Sequence, residues 1–397
     1  MELLITGIGQ LATPKAEGTE LAVWEDYYIG IEDGRIRELG PMDEAPPCSE
    51  TLDMGGGLVI PGLIDPHTHA VFAGSREEEF LKRCRGEPYT EGGIRTTVAA
   101  VRQASAEELY RNGKKFLLEM LHGGTTTVEV KSGYGLDLEN ELKLLRVINK
   151  LNEDLPLDIA PTFLGAHAIP EGKGSREYVD EVIAMIPQVL PLARFCDVFC
   201  EPGFFSVEES RQILQACKEA GLKLKIHADE LKGSGGAELA AELGAVSADH
   251  LLKVSDEGVR RMRQAGTVPV LLPGTAFTLK ADYAPARRML SAGLPVALAS
   301  DFNPGTSLIN SMLFVIALAV LKMGLTAEEA LIAATRNAAW ALDHHDRGLI
   351  APAMLADLVV LDLENYRQIP YLIGHDIIRF VIKRGEIVFE NQGLRQD

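Results

Sequence analysis

The sequence predicts an α/β chain built as a (β/α)8 barrel of the TIM type, with a small β-sandwich-like domain assembled from both chain ends. Three observations lead there. Eight short apolar runs alternate with helical patterns through the middle of the chain, polar residues gather where those runs end, and both termini carry β alternation outside this rhythm. Near-continuous apolar strands separated by helices are the pattern of parallel strands buried on both faces, and eight of them favour a closed barrel over an open sheet.

The runs are LVIPGLID from Leu58, TTTVEVK from Thr125, LDIAPTFLG from Leu157 and CDVFC from Cys196. They continue with KLKIHAD from Lys223, AVSADH from Ala245, TVPVLLPG from Thr267 and PVALASD from Pro295. Between them lie amphipathic stretches at 138–151, 206–221 and 255–266, several opening on Ser or Asp and closing on Gly, which is how helices start and stop. Outside the alternation, YYIGIEDGRIRELGP at 27–41 reads as a hairpin around Asp33-Gly34, and ADLVVLDLEN with RFVIKRGEIVFEN has the same style. The expected division is therefore 1–57 with 351–397 for the small domain and 58–350 for the barrel.

Composition narrows the function. A net charge of −18 over 397 residues argues against a general affinity for nucleic acid or anionic membrane, since both need a basic face. The most apolar stretch, from Met312, is interrupted by Lys322 and falls short of the ~18 apolar residues of a membrane span, so it reads as a core helix. No signal peptide is expected at the N-terminus. Five cysteines without framework spacing suggest a reducing compartment, and Cys196 and Cys200 read as core thiols rather than a metal pair.

In such a barrel the chemistry sits where strands end. The ends read DPHTH, KSGYG, GAHA, EPG, HADE, ADH, PGT and SDFNPG. They bring His67, His69, His167, His227 and His250 to one rim with Asp301, whereas His122 falls at a helix end and is set aside. Singly, each histidine has a plain structural reading, Asp301 a helix-capping one and Glu230 a solvated one. Together they describe a site. His67 and His69 share a strand face; with His227 and Asp301 they make a three-imidazole, one-carboxylate set suited to zinc or ferrous iron. A metal so held activates water and polarises a carbonyl, with Asp301 and His250 placed for proton transfer.

PGLIDPHTHAVFAGSRE (61–77), VEVKSGYGLD (128–137), TFLGAHAIP (162–170), KIHADE (225–230) and ALASDFNPGTS (297–307) resemble the amidohydrolase superfamily of metal-dependent hydrolases. KSGYG and SDFNPGTS are narrow to the branch that opens an imidazolone ring in histidine degradation. The resemblance implies one divalent ion, zinc or iron, on His67, His69, His227 and Asp301. It implies Arg76, Tyr89, Tyr134 and His167 around a substrate carboxylate, Glu230 against the ring nitrogens, His250 beside the attacking water, and Asn303, Gly305 and Thr306 along the product. The implied reaction is hydrolysis of the ring amide of 4-imidazolone-5-propanoate to N-formimidoyl-L-glutamate, by a cytoplasmic homodimer. Another cyclic amidase or a ring deaminase is the rival reading; a neutral base needs no carboxylate clamp such as Arg76. One departure is the stretch YTEGGI at 89–94, shorter than the family's loop. Lys131 raises the question of a carbamylated lysine bridging two metals, which the following Ser-Gly-Tyr argues against.

Overall fold

The computed structural model describes residues 1–86 and 92–394. Its barrel strands, numbered in chain order, are β1 (Leu63–Asp65), β2 (Thr125–Lys131), β3 (Asp158–Ala166) and β4 (Phe195–Cys200). Then come β5 (Lys223–Leu224 and His227–Ala228), β6 (Ser247–His250), β7 (Val268–Leu271) and β8 (Ala297–Leu298). Each pairs in parallel with the next along the chain. The barrel closes just beyond the ends of β8 and β1. There Asp301 N–H donates to His67 O (3.1 Å), His69 N–H donates to Phe302 O (2.8 Å), and Thr68 bridges Phe302. The seam that closes the barrel is thus stitched by the residues expected to hold a metal.

The helices form as their caps dictate. Asp137 accepts the Asn140 N–H at the head of Leu138–Asp154, Ser206 and Glu209 make a capping box before Val207–Ala220, and Ser255 caps Asp256–Ala265. The latter two end on left-handed Gly221 and Gly266, where a side chain would strain the backbone. The apolar run from Met312 is a helix, Met312–Met323, with Val315, Ile316 and Ala319 fully buried. Among the described residues no helix is long and apolar enough to cross a membrane.

Two sheets from the chain ends pack as a small accessory unit. One is ordered Arg35–Pro41, Tyr27–Glu32, Leu3–Ile8, Thr51–Asp53. The other runs Glu386–Glu390, Ile378–Lys383, Leu358–Leu361, Leu58–Pro61, Gln10–Pro14, Leu21–Trp24. Ile5, Leu11, Ile29, Val59, Leu358, Val360 and Ile382 form their shared core. The Asp33-Gly34 turn has φ of +50° and +69°, as a two-residue hairpin of right-handed twist requires. LVIPGLID, read from sequence as one barrel strand, is two strands. Leu58–Pro61 pairs with Gln10–Pro14 and Leu358–Leu361 in the accessory sheet, and only Leu63–Asp65 joins the barrel. The break is physical: a Cβ on Gly62 would lie 2.3 Å from Thr126 Oγ1. We propose Gly62 as the passage between the two units.

Candidate active site

The strand ends converge as their sequence spacing implies. His67 lies between His69, His227 and His250, with ring centroids 5.4, 4.5 and 5.4 Å away. One donor atom from each of His67, His69 and His227 falls within 4.8 Å of the others, and the same holds for His67, His250 and Asp301. Asp301 Oδ1 is 3.5 Å from His67 Nε2 and 3.8 Å from His69 Nε2. His250 and Asp301 adopt φ of +75° and +51°, a strained conformation for residues with side chains that clusters at functional sites.

These groups fit a metal ion. His67 Nε2, His69 Nδ1 and His250 Nδ1 are buried without a hydrogen-bond partner, an arrangement that costs stability unless something fills the gap. Burial holds His67, His69 and His250 well below the ordinary imidazole range, and neighbouring positive charge adds to the effect. Neutral imidazoles are what metal ligation requires. His67 Nδ1–H donates to Asp249 Oδ2 at 2.6 Å, which fixes the tautomer that turns Nε2 inward. Burial pushes the Asp301 carboxyl up to about 6, against the Thr275 hydroxyl, which lowers it.

Lys131 on β2 is settled by its partners. Its ammonium lies 2.7 Å from Asp197 Oδ2 and 2.8 Å from Glu129 Oε2. Burial alone would lower its pKa, but Asp197, Glu129 and Asp249 outweigh that and raise it. Ion-paired to two carboxylates in this way, Lys131 fits the single-metal reading.

The remaining rim residues line one cavity with His69 and His227: Arg76, Tyr134, His167, Glu230, His250, Asn303 and Thr306. It shares Ile94 and Phe204 with a wider outer cavity of about 540 Å³ that holds none of the metal-donor residues. Arg76 is gripped on one edge by Glu79 through two hydrogen bonds, at 2.9 and 2.8 Å. Gly305 packs against it so closely that a Cβ would lie 2.0 Å from Nη1. Asn303 uses its amide on its own loop, donating to Asp301 O and Thr306 Oγ1 and accepting from the Gly305 and Thr306 N–H groups. His167 Nδ1 faces Gly133 O at 3.0 Å and its ring stacks on His69 at 5.1 Å, while burial lowers its pKa to about 3. Burial, with the charges of Asp301 and Glu201, pushes Glu230 well above the usual carboxylate range, and its Oε1 is 3.5 Å from His250 Nδ1. Tyr89 lies outside the described residues. Cys196 and Cys200 are buried core thiols, and His122 stacks on Phe389 at the end of its helix.

The sequence reading missed the carboxylates behind the site. Glu201 accepts the N–H groups of Glu230, Leu231 and Lys232, and Glu141 accepts those of Gly133, Gly135 and Leu136. Each pins a loop carrying a cavity residue. For Glu201 the available signal was a charged residue just after an apolar strand, in CDVFCE, whereas Glu141 lies within the helix Leu138–Asp154, where no such signal marks it.

A parallel barrel with imidazoles and a carboxylate converging at its mouth defines a metal-dependent hydrolase, and the amidohydrolase family model matches residues 58–388. Imidazolonepropionase of Geobacillus kaustophilus is 49% identical over 405 residues, covering 97% of this chain and 96% of its own. That of Haloarcula marismortui is 46% identical, covering 98% and 96%. The chain belongs to this family, the imidazolonepropionases among the amidohydrolases. The fold is shared more widely. Zinc-complexed atrazine chlorohydrolase of Arthrobacter aurescens superposes with a TM-score of 0.75 at 18% identity, covering 98% of this chain and 95% of its own. For 5-methylcytosine deaminase of Klebsiella pneumoniae the TM-score is 0.76 at 16% identity, over 99% of both chains.

Proposed function

We infer that the chain hydrolyses the ring amide of 4-imidazolone-5-propanoate to N-formimidoyl-L-glutamate. The observation that carries the reading is the meeting, in one cavity, of buried metal-donor groups with Arg76 and Tyr134. An anionic cyclic amide needs both: donors for its carboxylate and a polarised carbonyl.

His67, His69, His227 and Asp301 would hold the divalent ion, zinc or iron, a set either metal accepts. When bound, such an ion supplies Lewis acidity and a water nucleophile at neutral pH. The side chains do the rest. Arg76, pre-oriented by Glu79, and the Tyr134 hydroxyl bind the propionate, and guanidinium geometry suits a carboxylate. His167 walls the same end of the cavity. Asp301 takes a proton from the attacking water as its oxygen adds to the ring carbonyl carbon. The bond from that carbon to the ring nitrogen then breaks: the carbon is left as a carboxyl group that ionises, Asp301 gives up its proton to solvent, and the departing nitrogen takes up a proton. Glu230 is suited to supply it, because its raised pKa keeps it an acid at higher pH than usual. His250, neutral and beside Glu230, stabilises charge developing on the carbonyl oxygen. Asn303 shapes the loop on which Gly305 and Thr306 meet the product.

The chain is expected to work as a cytoplasmic homodimer, which sedimentation velocity tests. The reaction is tested with freshly prepared substrate. Loss of its ring absorbance with formimidoylglutamate identified by mass is the expected result. Release of ammonia without ring opening would contradict it in favour of a deaminase.

A further inference from the structure

Beneath the imidazoles, five charged side chains sit inside the barrel with no solvent exposure: Glu129, Lys131, Asp197, Lys225 and Asp249. The ring-opening chemistry uses none of them. Charges in such a place are costly unless paired and hydrogen-bonded, and here the pairing has an order. Glu129 Oε2 joins two lysines, lying 2.8 Å from Lys131 Nζ and 3.3 Å from Lys225 Nζ. Each lysine in turn reaches an aspartate: Lys131 to Asp197 Oδ2 at 2.7 Å, and Lys225 to Asp249 Oδ2 at 3.7 Å.

Both aspartates touch a metal-donor histidine. Asp249 Oδ2 accepts His67 Nδ1–H at 2.6 Å, while its Oδ1 accepts the Ser247 hydroxyl, also at 2.6 Å. Asp197 Oδ1 accepts the backbone N–H of His227 at 3.1 Å and of Val198 at 2.7 Å, and its Oδ2 lies 3.0 Å from His227 Nδ1. The strand pleat explains why the pieces meet. Glu129 and Lys131 are two apart on β2, and Lys225 and His227 two apart at β5, so each pair faces the interior together.

We propose that Lys131, Glu129 and Lys225 form a positioning bridge that seats Asp197 and Asp249 against His227 and His67 and so sets the affinity of the site for its metal ion. Lys131 donates to the second oxygen of Asp197 at 2.7 Å, while Lys225, which donates to Pro66 O at 3.0 Å, stands 3.7 Å from Asp249 Oδ2 as the counter-charge that keeps that carboxylate ionised beside His67. The bridge also fills an acidic cluster that would otherwise attract a second cation. His67, Glu129 and Asp249 bring donor atoms within 4.8 Å of one another, and both ammonium groups lie among them. The inference rests on the metal-site reading and is independent of the substrate.

The test uses the full-length chain, stripped of metal and titrated with zinc against a chromophoric chelator. Lys225→Met is expected to weaken zinc binding about 10- to 100-fold, the range for lost outer partners of metal ligands. A folded Lys225→Met protein that binds zinc as the unaltered chain does would overturn the bridge. Its route through Asp249 is read from a double-mutant cycle. Lys225→Met should add little to the loss in Asp249→Asn, whereas independent, additive losses would reduce the lysine to a structural charge and overturn the proposal. Should Lys225→Met fail to fold, Glu129→Gln is read by the same criteria. Failure of the unaltered chain to take up zinc would contradict the metal site itself, a result distinct from either.

Discussion

At the mouth of the barrel His67, His69 and His250 leave buried ring nitrogens without hydrogen-bond partners, whereas at the opposite end Asp158 is bound by three cations. Arg347 Nη1, Lys383 Nζ and Arg384 Nη2 lie 2.5, 2.9 and 2.8 Å from its carboxylate, and Lys383 also pairs with Asp357 at 2.6 Å. Asp158 opens β3, and Lys383 closes a strand of the accessory sheet, so this network ties the two units together. Polar side chains thus do opposite work at the two ends. Buried ring nitrogens without protein partners gather at the mouth, and paired charges at the floor hold the fold, as the division of labour in such barrels leads one to expect.

Substitutions at the two ends should therefore separate activity from stability. The largest effect is expected from His227→Ala, which should remove metal and turnover together, as metal analysis and kinetics on one sample would show. Retained metal in that variant would remove His227 from the donor set. Glu230→Gln comes next, slowing turnover by about 10²- to 10⁴-fold, the usual contribution of a general acid. Because its pKa is raised, the acid form persists to higher pH and activity falls as pH rises through that value. The substitution should abolish this alkaline limb, and an unchanged profile would move the acid elsewhere.

Arg76→Ala should cost about 10- to 150-fold in kcat/KM, the equivalent of about 1.5–3 kcal/mol for a charge-assisted hydrogen bond. The loss should appear in KM and vanish for an analogue lacking the propionate; equal losses on both substrates would sever Arg76 from the carboxylate. The smallest catalytic effect is expected at the floor. Asp158→Asn should leave metal content and kcat unchanged while lowering stability by about 1–3 kcal/mol. Burial would raise the pKa of Asp158, but Lys383, Arg384 and Arg347 outweigh it and hold the carboxyl far below its ordinary value. Its unfolded value is about 3.9, so its contribution is full above that pH and is lost as pH falls through the folded value. Thermal melts of the two proteins should differ at pH 7 and converge on strong acidification.

Much of this contrast was legible in the sequence at the mouth and little at the floor. His67, His69, His227 and Asp301 could be placed because strand ends share one rim, so spacing along the chain translates into proximity. Asp158 met Lys383 and Arg384 only through the return of the C-terminal strands to the barrel, a long-range pairing that no local pattern encodes. Leu58–Pro61 was misassigned for a related reason, since a buried apolar run looks the same in either sheet. The charges under the site were hidden differently. Asp197 and Lys225 sit in apolar strands, and their meaning depends on which face turns inward.

The most direct test of the central claim is a metal titration of the stripped chain, with imidazolonepropionate hydrolysis followed at each addition of zinc. Activity absent without metal, rising in proportion and saturating at one zinc per chain, is the predicted result. Turnover by the metal-free protein, or saturation only at two ions per chain, would contradict it.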